Sequence, residues 1–254
     1  MAAPVNTFKA ALKSGRSQIG LWMGLAHPST AEICASAGFD WLVIDGEHGP
    51  SELGDVLAQL RVVQPLTNAV VRPKDDDRAG LKRLLDVGAQ TLLVPMIESG
   101  DQAREVVRSL MYPPNGVRGV GATLARASGY NTYDDYLTTA NEQICLLLQV
   151  ENRAGLAALD DILTIPEVDG IFIGPADLSA DMGFPGQPAH PEVLAAIQGA
   201  FDKISAAGKA RGILTGSPEL AAAYQAAGVE FLAVGSDVGA LGGAVRALRA
   251  TFKP

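Results

Sequence analysis

Short apolar runs alternate with longer segments of helical period along nearly the whole chain. The runs predict strands at Gln18–Gly24, Trp41–Ile44, Asn68–Pro73, Thr91–Met96, Ile144–Glu151, Gly170–Pro175, Lys209–Leu214 and Glu230–Gly235. A short helix capped by Asn6 or Thr7 precedes them and stops at Gly15. Between strands, the spacing predicts a helix opening after Ser29 or Thr30 and closing at Gly38, then one from Ser51 to about Val63. RAGLKRLLDVG stops at Gly88, and DQAREVVRSLM is broken by Pro113-Pro114-Asn115-Gly116. An irregular insert, GVRGVGATLARASGYNT, leads to a helix over Tyr133–Asn141, and another spans about Ala154–Thr164. A Gly/Pro-rich loop follows Pro175, before the helix PEVLAAIQGAFDKISAAG. The last two helices follow Ser217-Pro218 and cover VGALGGAVRALRATF.

Strands alternating with helices imply right-handed βαβ units and a parallel sheet. Eight such units predict the α/β class and a single (β/α)8 TIM barrel spanning residues 1–254. An open doubly wound sheet is the alternative, and the absence of G-x-G-x-x-G after the first strand weighs against it.

In a barrel, chemistry gathers at the C-terminal ends of strands. After Trp41–Ile44 come Asp45, Gly46, Glu47 and His48, which place two carboxylates and an imidazole just past a buried strand. The other strand ends offer Arg72, Gln149, Glu151 and Asp177, whereas strand seven ends on Leu214. Glu151 and Asp177 suit a hard divalent cation whose remaining positions are filled by water and substrate. The alternative is that both acids cap helix N-termini. Arg72, between a buried strand and Pro73, is either a salt-bridge partner or a fixed cation for a carboxylate or developing oxyanion. His48 stands three residues after Asp45, the pattern of a proton-transfer pair, or else is a loop histidine. His27 and His190 read as structural, and Asp86 as a solvated acid near a helix end.

Composition narrows the partners. Hydrophobic residues make up 48% and charged residues 19% of the chain, so disorder is not expected. A net charge of -8 argues against nucleic acid or an acidic membrane surface. Cys34 and Cys145 read as free thiols in a reducing cytoplasm, with no CxxC. No apolar run is long enough for a bilayer span or a signal peptide core.

The stretches AEICASAGFDWLVIDGEH, VVRP, KRLLDVGAQTLLVPM, YPPNGVRGVG, LARAS, NEQICLLLQVE, VDGIFIGPADLSADMG and PAHPEV occur in that order. Through them the chain resembles the class II, metal-dependent pyruvate aldolases of the HpcH/HpaI (4-hydroxy-2-oxo-heptanedioate aldolase) family. The resemblance implies cleavage of 4-hydroxy-2-oxo acids to pyruvate and an aldehyde, without a Schiff base or organic cofactor. It implies Mg2+, Mn2+ or Co2+ as cofactor, and a homo-oligomer, usually a hexamer built as a dimer of trimers, often with the C-terminal helix exchanged between subunits. Glu151 and Asp177 match the metal ligands, Arg72 the arginine on the pyruvate carbonyl oxygen, and Asp45 with His48 the acid–base dyad. Asp86 matches an acid reaching a neighbouring subunit's site. Gln149, the Gly174-Pro175-Ala176 turn with Asp177, Trp22 and Leu214 match the pyruvate pocket. Departures are His27 in GLAHP and the acidic run KDDD after Arg72. Alternative activities are a 2-dehydro-3-deoxy-glucarate-type aldolase, a citramalyl- or malyl-CoA lyase, and a non-catalytic carboxylate-binding barrel. Arg118 and Arg126, in the insert, are expected to hold a distal carboxylate of the aldehyde.

Overall fold

Every predicted strand forms, and each pairs in parallel with its sequence neighbour; β8 closes on β1. The computed structural model describes residues 1–253. The strands are β1 (Gln18–Met23), β2 (Trp41–Asp45), β3 (Asn68–Arg72), β4 (Thr91–Val94), β5 (Cys145–Val150), β6 (Val168–Ile173), β7 (Ala210–Leu214) and β8 (Phe231–Ser236). Around this closed (β/α)8 barrel run α2 (Pro28–Ala35), α3 (Leu53–Val63), α4 (Arg78–Asp86), α5 (Gly100–Leu110), α7 (Arg153–Ile162), α9 (Pro191–Ala206) and α10 (Pro218–Ala226). Helices α1 (Thr7–Lys13), α6 (Tyr136–Gln143), α8 (Pro175–Asp181) and α11 (Asp237–Phe252) complete the fold.

Two apolar layers follow from the period of two along each strand. One set, including Trp41, Val43, Val70, Leu147, Phe172 and Phe231, fills the barrel lumen. The alternate set, including Ile44, Val71, Leu92 and Leu148, packs under the helices. Helix α1 closes the N-terminal end of the lumen. Its Phe8 ring lies 5.8 Å from Trp41 and 6.3 Å from Phe231. Each such aromatic pair adds about 0.5–1.5 kcal/mol beyond the area it buries. Asn6 caps α1 and its amide donates to Thr91 Oγ1, while Lys9 pairs with Asp169 at 3.0 Å.

Helix α8 replaces part of the loop expected after Pro175. Pro175 at the first helical position has its φ preset and no N–H to satisfy, and Asp177 sits in the positive first turn. At seven residues the helix is too short to show an apolar period. Helix α3 starts at Leu53 with Glu52 as its cap, two residues later than the spacing suggested.

Helix α11 leaves the barrel. Of its residues only Asp237 is buried, where the carboxylate accepts from the amides of Gly24 and Leu25 at 2.8 and 3.1 Å. Val238, Leu241, Val245, Leu248 and Phe252 form an exposed stripe at alternating spacings of three and four. Helix α10 buries no residue, and a groove of about 350 Å3 lies open between it and the β8–β1 seam, lined by Ile19, Ala221, Ala222, Leu232 and Val234.

Candidate active site

The lumen-facing alternation that puts Trp41 and Val43 inside carries Asp45 to the top of the barrel. Asp45 pairs in register with Arg72 at the end of β3, so the ladder itself sets acid and base side by side. Arg72 is 5% exposed, and its Nε and Nη2 donate to the two oxygens of Asp45 at 2.9 and 2.6 Å. Nη1 lies 2.7 Å from Glu47 Oε2, an ion-pair distance without hydrogen-bond alignment. The guanidinium also stacks over Trp22, 4.8 Å from the ring centroid, and Trp22 Nε1 donates to Asp45 Oδ2 at 3.0 Å. Trp22, Asp45 and Arg72 are therefore one rigid unit on three adjacent strands. Burial alone raises the Asp45 pKa, but the Arg72 hydrogen bonds and charge outweigh it and hold the carboxyl below its usual range.

His48 is placed differently from the sequence expectation. Its side chain is 70% exposed and makes no bond to Asp45; Asp45 Oδ1 instead accepts the backbone amides of Glu47 and His48 at 3.0 and 3.3 Å. Asp45 thus shapes the DGEH turn and anchors Arg72. The acid nearest the imidazole is Glu47, with Oε2 at 3.9 Å from Nε2. Glu47 links Arg72 to His48 and is the residue that sequence reasoning left unassigned; its place inside the DGEH turn was the available signal. Burial raises its pKa, with Asp45 and Asp177 adding to the rise and Arg72 and His48 opposing it.

Across the mouth, Glu151 directly follows β5 and is 2% exposed. Its Oε1 accepts the Met96 amide at 2.9 Å, and its Oε2 accepts from Gln149 Nε2. Met96 reaches this position in a left-handed conformation, φ 55°. Gly174 passes so close that a Cβ there would stand 2.7 Å from that of Glu151, so no larger residue fits without displacement. Burial pushes the Glu151 carboxyl up to about 7, and the charges of Glu47 and Asp177 push the same way, against the Gln149 and Met96 donors. Asp177 is exposed on the first turn of α8, where the amides of Ala176 and Asp177 have no partner four residues back. Pro175 opens that turn and Leu214 ends β7 at the same rim.

A divalent cation fits this donor set. Among the described residues Glu151 is a buried carboxylate with no cationic partner and Gln149 Oε1 is buried without a hydrogen bond, while Asp177 stands at the open side. Among the described residues no three acidic, histidine or cysteine side chains already form a closed cage. The arrangement thus leaves positions for water and substrate oxygens.

Three predicted residues lie elsewhere. Asp86 ends α4, at the N-terminal side of the barrel, and accepts from Arg118 Nη2 at 2.8 Å. Arg118 is 1% exposed, stacked 4.3 Å from the Tyr112 centroid, and is not free to hold a ligand. Arg126 donates to Val87 O at 3.0 Å, beside the starts of β3 and β4. The expectation that Arg118 and Arg126 reach a distal carboxylate is not met within one subunit. Sequence position indicated their charge but not the end of the barrel to which the insert folds. His27 and His190 cap α2 and α9 through Nδ1.

Residues 18–243 match the family model of the HpcH/HpaI aldolase/citrate lyases. The chain belongs to this family. Among HpcH/HpaI relatives it is 55% identical to the hydroxypyruvate/pyruvate aldolase of Pseudomonas aeruginosa, over the whole of this chain and 95% of that one. It is also 55% identical to the 4-hydroxy-2-oxo-heptane-1,7-dioate aldolase of Shigella boydii serotype 18, over 97% of this chain and 95% of the relative. A crystal structure of an HpcH/HpaI family protein from Burkholderia cenocepacia J2315 superposes with a TM-score of 0.94 at 38% identity, covering 98% of this chain and all of the other.

Proposed function

We propose that the chain catalyses reversible, divalent-metal-dependent retro-aldol cleavage of 4-hydroxy-2-oxo acids to pyruvate and an aldehyde. It is a carbon–carbon lyase of the aldolase type. The observation that carries the reading is the pairing, at one barrel mouth, of an unneutralised buried Glu151 with the fixed guanidinium of Arg72. Glu151 and Asp177 would hold the cation, Mg2+, Mn2+ or Co2+, which when bound supplies Lewis-acid polarisation of the 2-oxo acid. Arg72, with its fork fixed by Asp45, directs its remaining N–H groups at the oxygen that gains charge as the C3–C4 bond breaks. His48 takes the proton from the 4-hydroxyl, with Glu47 as the neighbouring acid that stabilises the imidazolium. The free amides of Ala176 and Asp177 and the Gln149 side chain hold the pyruvate carboxylate; Trp22 and Leu214 wall the methyl side. Asp86, at the far end of the barrel from this mouth, acts in a neighbouring subunit's site.

The test is a lactate dehydrogenase-coupled assay over 4-hydroxy-2-oxo acids that differ in the aldehyde released. Succinic semialdehyde, glycolaldehyde and tartronate semialdehyde are the first three. Pyruvate release that requires a divalent cation is the expected result, and no pyruvate from any member would end the aldolase reading.

The enzyme works as a homo-oligomer. Helix α11 presents five exposed apolar side chains and the groove beside α10 lacks a covering helix, so each copy offers what the other needs. A buried leucine contributes about 1.5–3 kcal/mol relative to an exposed one, enough for such a stripe to drive assembly. Leu241→Asp combined with Leu248→Asp is expected to shift the particle to smaller species in sedimentation velocity. An unchanged sedimentation coefficient would place the interface elsewhere. Reciprocal exchange around a dimer of trimers is the arrangement we favour. Cytoplasmic residence is consistent with two unpaired cysteines, and no helix among the described residues is long and apolar enough to cross a membrane.

A further inference from the structure

A cavity of about 570 Å3 lies at the N-terminal end of the barrel, walled by α1, the starts of β3 and β4, and the insert around Arg126. That volume is in the range of small-molecule sites. A whole strand, about 13 Å from Asn68 to Arg72, separates it from the catalytic mouth.

Its charge is unusual for this protein. Among the described residues seven arginines pair with a carboxylate, and of the others Arg126 alone is not exposed. Arg126 makes one hydrogen bond, from Nη1 to Val87 O, leaving the rest of its five-donor fork free. Gly88 makes room for the guanidinium, because a Cβ there would collide with Nη1. The side-chain amide N–H groups of the wall are already engaged: Gln64 donates to Gly88 O, Gln90 to Pro4 O, and Asn68 to Asp40 O. Tyr130, Tyr133 and Tyr136 line the cavity, and their hydroxyls make no hydrogen bond among the described residues. The uncommitted donors are thus one guanidinium and three phenols.

We propose that this cavity is a second binding site, for a small oxyanion, held by the Arg126 fork and the hydroxyls of Tyr130 and Tyr133. A planar carboxylate or a phosphate oxygen pair matches the fork, and the phenol rings suit a ligand with a flat apolar body. Burial and the nearby charge of Arg61 both press the Arg126 pKa down, so a bound anion relieves an unfavourable field.

The experiment titrates inorganic phosphate and, separately, benzoate into the intact, cation-depleted enzyme by calorimetry, so that no metal draws an anion to the catalytic mouth. At least one probe is expected to bind saturably, once per subunit. Arg126→Gln should weaken that binding about tenfold or more, whereas Tyr133→Phe and Arg126→Lys should weaken it about two- to fivefold. Should Arg126→Gln fail to fold, the Tyr133→Phe and Arg126→Lys shifts decide the question. Benzoate binding without phosphate binding selects a carboxylate ligand, and the reverse selects a phosphate. Absence of saturable binding by both probes overturns the proposal, as does binding that is unchanged in the variants that fold.

Discussion

Arg72→Ala is expected to lower kcat for aldol cleavage by about 10²–10³-fold, the cost of removing one fixed oxyanion donor. Exchange of the pyruvate methyl protons should be lost with it, since exchange passes through the same charged oxygen. A structural penalty accompanies the loss. Arg72 is the counter-charge for buried Asp45 and for Glu47, and breaking a buried pair on one side costs about 3–5 kcal/mol. For a chain of this size that corresponds to a fall in Tm of roughly 6–20 °C. The acid limb of stability should change too. The Asp45 pKa is held below its ordinary value of 3.8, so the pair's contribution is complete above that value. It is lost as pH falls through the lowered folded value, and Arg72→Ala removes this dependence. Arg72→Lys keeps charge but not the fork, and should recover Tm more than kcat. Wild-type proton exchange in the alanine variant would mean that Arg72 serves the fold alone.

Much of this arrangement was legible because a closed parallel barrel leaves few choices. Each strand's alternation points every second residue inward, and chain order puts β2 beside β3. Asp45 and Arg72 at two adjacent strand ends therefore had to meet at the mouth. What three residues of spacing could not decide was which part of His48 meets Asp45. The carboxylate has few lone pairs, and Arg72, Trp22 and two turn amides take them, so the imidazole turns outward toward Glu47. Helix α8 was illegible for a different reason: its start rests on Gly174-Pro175 and the close approach to Glu151, a tertiary fact with no local period. The stripe on α11 was readable as an amphipathic helix, but only the fold shows that it faces away from its own barrel.

Glu151 sets the second large effect. Chelation is expected to abolish pyruvate formation, and added Mg2+ or Mn2+ to restore it; full activity in chelator would sink the metal reading. The pH dependence follows from the same carboxyl. Its ordinary value is 4.5, and in the fold burial, with Glu47 and Asp177, pushes it up to about 7. Between those values the folded, metal-free protein binds more protons than the unfolded chain, so its stability falls as pH rises through that window, by about 3 kcal/mol in total. On the proposed metal reading, a cation takes the ionised form of Glu151 and must displace its proton. Metal affinity should therefore rise about tenfold per pH unit below 7 and level off above it. Calorimetric titration with Mn2+ at pH 5.5 and 8 reads the slope, and thermal unfolding with chelator reads the opposite trend in stability. Glu151→Gln should flatten both and abolish cleavage. Equal Mn2+ affinity at the two pH values would show that the buried carboxyl is not a ligand, and that the cation is held elsewhere on the mouth.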